Sequence, residues 1–143
     1  ANDLGVNFCG PAVQNSTGLP STLFGVGTNV VAANNFSFRA TDLPPNSFGF
    51  GLVSSTTGFV MNPGGSTGNL CLGGNIGRFV GQIQSSSAVR EITTVVDALA
   101  LPQPNGFVQI MVGQTWSFQL WHRDAVGGQA TSNLTDGLTV TFE

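Results

Sequence analysis

The stretch TWSFQLWHRD, residues 115–124, holds both tryptophans, the only histidine, one of the four arginines and an aspartate. A histidine beside charged residues raises the question of catalysis. The HRD order at 122–124 matches part of a protein-kinase catalytic loop, but the chain has no lysine for nucleotide phosphates and is too short for that fold. A Ser/His/Asp triad would have to use His122, and no G-x-S-x-G turn supplies a nucleophile. Glycoside hydrolysis needs two carboxyl groups facing each other across a cleft. Asp3, Asp42, Glu91, Asp97, Asp124, Asp136 and Glu143 form no recognisable motif of that kind. The expectation is a protein that is not itself an enzyme, with a small hydrolase the least supported alternative.

Binding chemistry is better represented. If residues 115–124 form a strand, Trp116, Phe118, Leu120 and His122 share one face, and Ser117, Gln119, Trp121 and Arg123 share the other. The first set reads as core. The second set joins a flat ring, an amide and a guanidinium. A sugar has an apolar C–H face and a rim of hydroxyls, and those are the groups that suit it. Trp121, Gln119 and Arg123 are therefore the candidate carbohydrate-binding residues. The arginine also suits the sulfates or carboxylates of acidic glycans. The competing use is structural: Trp121 under a loop, with Arg123 paired to Asp124 or Asp136.

Cys9 and Cys71 are the only cysteines, 62 positions apart and without a CxxC pattern, so a zinc site is poorly supported. A disulfide is expected, against two buried free thiols. No cofactor is implied. Calcium is the one metal with candidate ligands, chiefly Asn133 and Asp136 in SNLTDG, with Asp124 and Asn75 beside them, but no D-x-D-x-D loop is present. Asp136-Gly137 also reads as a turn that starts the last strand. Three N-x-S/T sequons stand at Asn15, Asn35 and Asn133.

These residues must be positioned by strands. No segment keeps a helical period, and alternating runs recur between Gly, Pro and Asn. Phe36, Phe38 and Ala40 alternate with Ser37, Arg39 and Thr41, while Phe48, Phe50 and Leu52 alternate with glycines. Residues 52–61 predict two strand ends around a Thr-Thr-Gly turn. Further strands are predicted at 78–83, 107–111, 116–123 and 138–142. Residues 91–101 predict a long strand, with VVDALAL as an alternative helical turn, and the glycine-rich 62–75 a loop. Leu138, Val140 and Phe142 should join Trp116, Phe118 and Leu120 in the core. Residues 1–143 thus predict a single all-β domain, a two-sheet antiparallel β-sandwich, with a jelly roll among the topologies allowed.

Composition narrows the partners. Charged residues are 8% of the chain, against roughly a quarter in an average soluble domain, so hydroxyls and amides must cover the surface. A net charge of −3 with four arginines and no lysine argues against nucleic acid or an anionic membrane surface. No apolar run reaches the roughly 18 residues of a membrane span. The chain begins at Ala1 without a signal-like segment and reads as a mature or excised piece.

Several motifs together, NFCGPAVQNSTGLP at 7–20, DLPPNSFG at 42–49, GNLCLGG at 68–74, TWSFQLWHRD at 115–124 and SNLTDGLTVTF at 132–142, resemble an uncharacterised β-rich domain of large exported proteins of planctomycetes, myxobacteria and related bacteria. The likeness spans nearly the whole chain in order, with His122 where that family carries a tyrosine. It implies secretion, a β-rich fold and a place as one module of a larger exported protein, and it implies no particular activity. Function therefore rests on the residues. The first expectation is a secreted accessory module that binds polysaccharide, including acidic or sulfated kinds, for an attached catalytic or adhesive domain. The alternative is a structural or surface-anchoring domain with no small ligand, whose partners are the other domains of its parent chain.

Overall fold

The structure is a computed structural model and describes residues 4–143, which leaves Asp3 outside the described residues. Those residues form fourteen strands and no α-helix. In chain order these are β1 (Val6–Phe8), β2 (Thr22–Gly27), β3 (Phe36–Thr41), β4 (Phe48–Ser54), β5 (Thr56–Met61), β6 (Asn69–Gly73) and β7 (Gly77–Arg78). They continue with β8 (Gln84–Ser85), β9 (Ile92–Val96), β10 (Leu101–Gln103), β11 (Gly106–Val108), β12 (Thr115–Val126), β13 (Gln129–Leu134) and β14 (Gly137–Thr141). The large sheet runs β1-β14-β12-β4-β7, with β13 also on β12 and β8 also on β4. The small sheet is β2-β3-β9, and two hairpins, β5-β6 and β10-β11, stand apart from both. Every pairing is antiparallel.

Alternation builds the sandwich. In β3, Phe36, Phe38 and Ala40 are buried, while Ser37, Arg39 and Thr41 look outward. Leu23, Ile92 and Val96 join them from the neighbouring strands. The large sheet answers with Val53, Trp116, Phe118, Leu120, Leu138, Val140 and Phe142, all in the same core. The Phe118 ring lies 4.9 Å from Phe38 and 5.7 Å from Phe36, and Phe36 meets Phe142 edge-on at 5.4 Å. Such tilted and edge contacts add to the area buried. All six core residues read from the last two long strands are buried.

β4 is shaped by its glycines. A Cβ at Gly51 would run into the Phe38 ring, and one at Gly49 into the backbone of Trp121 and His122. The core side of β4 is therefore bare until Val53, and Phe50 and Leu52 go to the opposite face. That face carries a second cluster. Leu52, Leu72 and Leu134 are buried there, with Phe8, Phe50, Leu70, Ile76 and Trp121 packed against them. The β5-β6 hairpin contributes Leu70 and Leu72, so the middle of β12 is covered on both sides.

The glycine-rich segment 62–75 is not a loop throughout, because it contains β6, and the Cys9–Cys71 disulfide joins that strand to the end of β1. Closing a loop of 62 residues contributes about 4 kcal/mol on the chain-entropy estimate. Three other predicted boundaries move. The break between the two strands of 52–61 falls at Ser55, and Thr56, Thr57 and Gly58 belong to β5. Residues 78–83 break into the end of β7 and a 3₁₀ turn, Val80–Gln82. β9 ends at Val96, and a turn in which the Ala100 N–H bonds the Asp97 carbonyl separates it from β10.

Because Phe118 touches three other rings at the middle of the core, Phe118→Ala should cost about 3–5 kcal/mol in urea unfolding. A loss below about 1 kcal/mol would show that the strand phase is wrong.

Candidate functional site

The site is built where β12 changes partner. Its first half pairs with β14 and its second half, from Trp121 on, pairs with β13. At the change the ladder breaks, and side chains repair it. The Thr135 hydroxyl accepts the Leu120 N–H at 3.0 Å, and the Gln119 amide donates to Thr135 O at 2.8 Å. The same amide donates to Asn69 O at 2.8 Å, and its oxygen accepts the Cys71 N–H at 2.9 Å. Gln119 is fully buried. It lies on the expected face of β12, but β6 covers it and both ends of its amide are engaged. Gln119 is therefore a positioning residue, and its assignment to ligand contact is corrected.

Trp121 and Arg123 lie beyond the cover. Trp121 is half-buried and Arg123 exposed. Trp121 pairs across to Phe50, their rings 5.3 Å apart and tilted by 41°. The Arg123 guanidinium lies 5.8 Å from the centre of the Trp121 ring, a cation–π arrangement. Trp121 forms part of two clefts. One, about 320 Å³, is walled by Phe50, Leu70, Ile76, Pro63 and Arg78. The other, about 260 Å³, is walled by Arg123, Ala130, Thr131 and Ser132. The first is mainly apolar and the second mainly polar in its residues. This is the geometry a ring face and a hydroxyl rim require together.

Among the described residues, Arg123 pairs with neither aspartate. Asp124 accepts the Ser16 and Ala125 N–H groups, at 2.9 and 2.8 Å. Asp136 accepts the Leu23 N–H at 2.8 Å and the Asn7 amide at 3.0 Å. Burial raises the Asp136 carboxyl above the ordinary carboxylate range, and those hydrogen bonds oppose the rise. Asn133 is buried, donating to Val13 O at 2.8 Å and accepting the Leu134 N–H at 2.7 Å. Asn133 and Asp136, the calcium candidates of the sequence, thus tie different segments together. Among the described residues no group of three or more His, Cys, Asp or Glu side chains is placed to hold a metal ion. Of the sequons, Asn15 and Asn133 are buried and hydrogen-bonded, and Asn35 is exposed.

His122 faces the other way. It is fully buried, with Nδ1 donating to Arg123 O at 3.0 Å and Nε2 without a partner among the described residues. Burial holds its pKa below the ordinary imidazole value near 6.5, while the Arg123 carbonyl and the Asp124 carboxylate pull it upward.

Phe50 and Arg78 belong to the site and were not singled out from the sequence. The signal for Phe50 was present in the FGFGL alternation. Glycines on one face of a strand leave room for a neighbour, so the aromatics must occupy the other. Arg78 stands opposite Leu52 in the sheet, a pairing that no local pattern announces.

Two outcomes follow. Gln119→Leu strands the Cys71 N–H and the Asn69 and Thr135 carbonyls, and should cost about 2–4 kcal/mol with faster amide exchange at Cys71. Unchanged exchange there would remove Gln119 from the joint. The second concerns pH. The unfolded chain protonates His122 near pH 6.5 and the folded chain only at lower pH, so its contribution is complete above pH 6.5 and declines as pH falls below it. Asp136, with its raised value, works in the opposite sense at lower pH, since the fold takes up that proton first. Urea midpoints between pH 7 and pH 5 should fall more steeply in the natural protein than in His122→Gln. Equal slopes would mean that the ring titrates freely.

No family model, curated protein or solved structure matches this chain.

Proposed function

We propose that the chain is a non-catalytic accessory module that binds polysaccharide on behalf of an attached catalytic or adhesive domain of an exported protein. The observation that carries this is Trp121: half-exposed, set beside Phe50 at 5.3 Å, and overhung by a guanidinium with no hydrogen-bond partner among the described residues. A large aromatic side chain left partly open beside polar groups is uncommon on a surface that has no partner. The Cys9–Cys71 bond supports an oxidising, extracellular setting, as does the resemblance of the sequence motifs to exported bacterial proteins. Among the described residues no helix is long and apolar enough to cross a membrane.

A second reading, a structural or anchoring domain, is favoured by a different observation. On β5, Phe59, Val60 and Met61 are all exposed, at 61%, 49% and 68%, along a strand paired on one side only. A neighbouring domain of the parent chain would cover them.

Affinity electrophoresis against a broad panel of polysaccharides separates the two. Binding predicts retardation by at least one polymer, lost in Trp121→Ala. Since Trp121 also packs on Phe50, that substitution should cost about 1–2 kcal/mol and leave the domain folded. An unretarded natural protein, or a Trp121→Ala chain that unfolds outright, assigns Trp121 to packing and favours the structural domain.

A further inference from the structure

The four arginines divide sharply. Arg39 donates from Nε to the Thr93 hydroxyl at 2.9 Å and sits over the Phe24 ring. Arg90 donates to Leu43 O at 2.7 Å and to the Thr17 hydroxyl at 2.8 Å. Both serve the fold. Arg78 and Arg123 are exposed and, among the described residues, make no hydrogen bond and no ion pair. These two alone line the clefts on either side of Trp121, Arg78 in the larger and Arg123 in the smaller. The chain carries a net charge of −3 and no lysine. Its two uncommitted cations are thus placed along one aromatic trough, against the sign of the molecule.

Register gives their separation. Arg78 on β7 stands opposite Leu52, Trp121 stands opposite Phe50, and Arg123 lies two residues beyond Trp121. The two arginines are therefore two strands and four residues apart, about 16 Å between Cα atoms at ordinary sheet spacings. That exceeds a single sugar ring. With the side chains extended along the trough, the two charges match groups carried on separate units of a chain passing over Trp121.

We propose that the two clefts form one groove for an internal stretch of an anionic polysaccharide, with Arg78 and Arg123 each holding a carboxylate or sulfate on a different sugar and Trp121 stacking on a ring between them. This rests on the carbohydrate-binding function proposed above and names its ligand class. A guanidinium presents two parallel N–H groups to such an oxyanion and so fixes orientation as well as charge. Attraction is local, because the rest of the surface repels a polyanion. Binding therefore weakens with salt but does not vanish where the ring contact remains.

The test is affinity electrophoresis of the whole chain in gels containing polygalacturonate, carrageenan or laminarin, a uronate polymer, a sulfated polymer and a neutral one. The natural protein should be retarded by one or both polyanions and little by laminarin, and the polyanion retained tells carboxylate from sulfate. Arg78→Gln and Arg123→Gln should each weaken that binding about tenfold, as expected for loss of one charge-assisted contact, and the double variant should abolish it. Neither side chain holds the fold, so thermal unfolding of these variants should match the natural protein. Trp121→Phe should retain part of the binding. Galacturonate or galactose sulfate monomers should not compete. Retardation by laminarin equal to that by the polyanions, and untouched by the arginine substitutions, would overturn the anionic ligand while keeping a carbohydrate site. Retardation by polyanions that survives Trp121→Ala, or that monomers compete away, would overturn the groove. Retardation by none of the three, nor by any polymer of the broad panel, would remove both the groove and the carbohydrate function.

Discussion

One side-chain amide ties β12 to β6 and to the connection between β13 and β14. Gln119 accepts the Cys71 N–H and donates to Asn69 O and Thr135 O. All three partners are backbone groups that no ladder satisfies at that point. Burying such groups unpaired costs about 1–3 kcal/mol each, so the amide is what lets β6 lie over β12 while β12 changes partner from β14 to β13. The disulfide arrives at the same residue of β6 from the other side. Covalent and hydrogen-bonded ties thus converge on Cys71, and the β5-β6 hairpin is held as a third layer over the large sheet.

That layer determines what is left open. It encloses Ser117 and Gln119 and borders Trp121, so along the outer face of β12 burial falls from Gln119 through half-buried Trp121 to exposed Arg123. The open half inherits rigidity from the covered half. Phe50 is held beside Trp121 because glycines occupy the core side of β4. Arg78 and Arg123, whose side chains make no hydrogen bond or ion pair among the described residues, line the two clefts that share Trp121.

Charge is used sparingly throughout. Asp124 and Asp136 are both buried and both spent on backbone N–H groups, linking the strands to the segments around Ser16 and Leu23. Asn15 and Asn133 also tie segments together, donating from their neutral amides to the Asp42 and Val13 carbonyls. A surface built mainly of hydroxyls and amides therefore coexists with an interior rich in polar staples. This explains how loops such as 9–21 stay in place without helices or regular pairing. Among the described residues the exceptions are the Thr94 hydroxyl and His122 Nε2, both buried without a hydrogen-bond partner.

Local pattern was enough for the all-β class, the phase of β3, β12 and β14, and the core they build. Period-two alternation is a property of the chain itself and commits each side chain to a face before any partner is chosen. The pairing of Cys9 with Cys71 was also legible, since only one intramolecular partner existed for each. The chain alone could not say which face of β12 would stay open, because the same alternation is satisfied whether solvent or a third layer lies against Gln119. Nor could it reveal β6 inside a glycine-rich run, or β13, whose residues Gln129–Leu134 carry few apolar side chains. Their sheet partners are near in sequence, β5 for β6 and β12 for β13, but β6 is fixed in place by Gln119 and by the disulfide, from 48 and 62 residues away along the chain. Arg78 and Trp121 come to line one cleft because β7 and β12 both pair with β4. Alternation chose the faces, and long-range register decided which of them became a site.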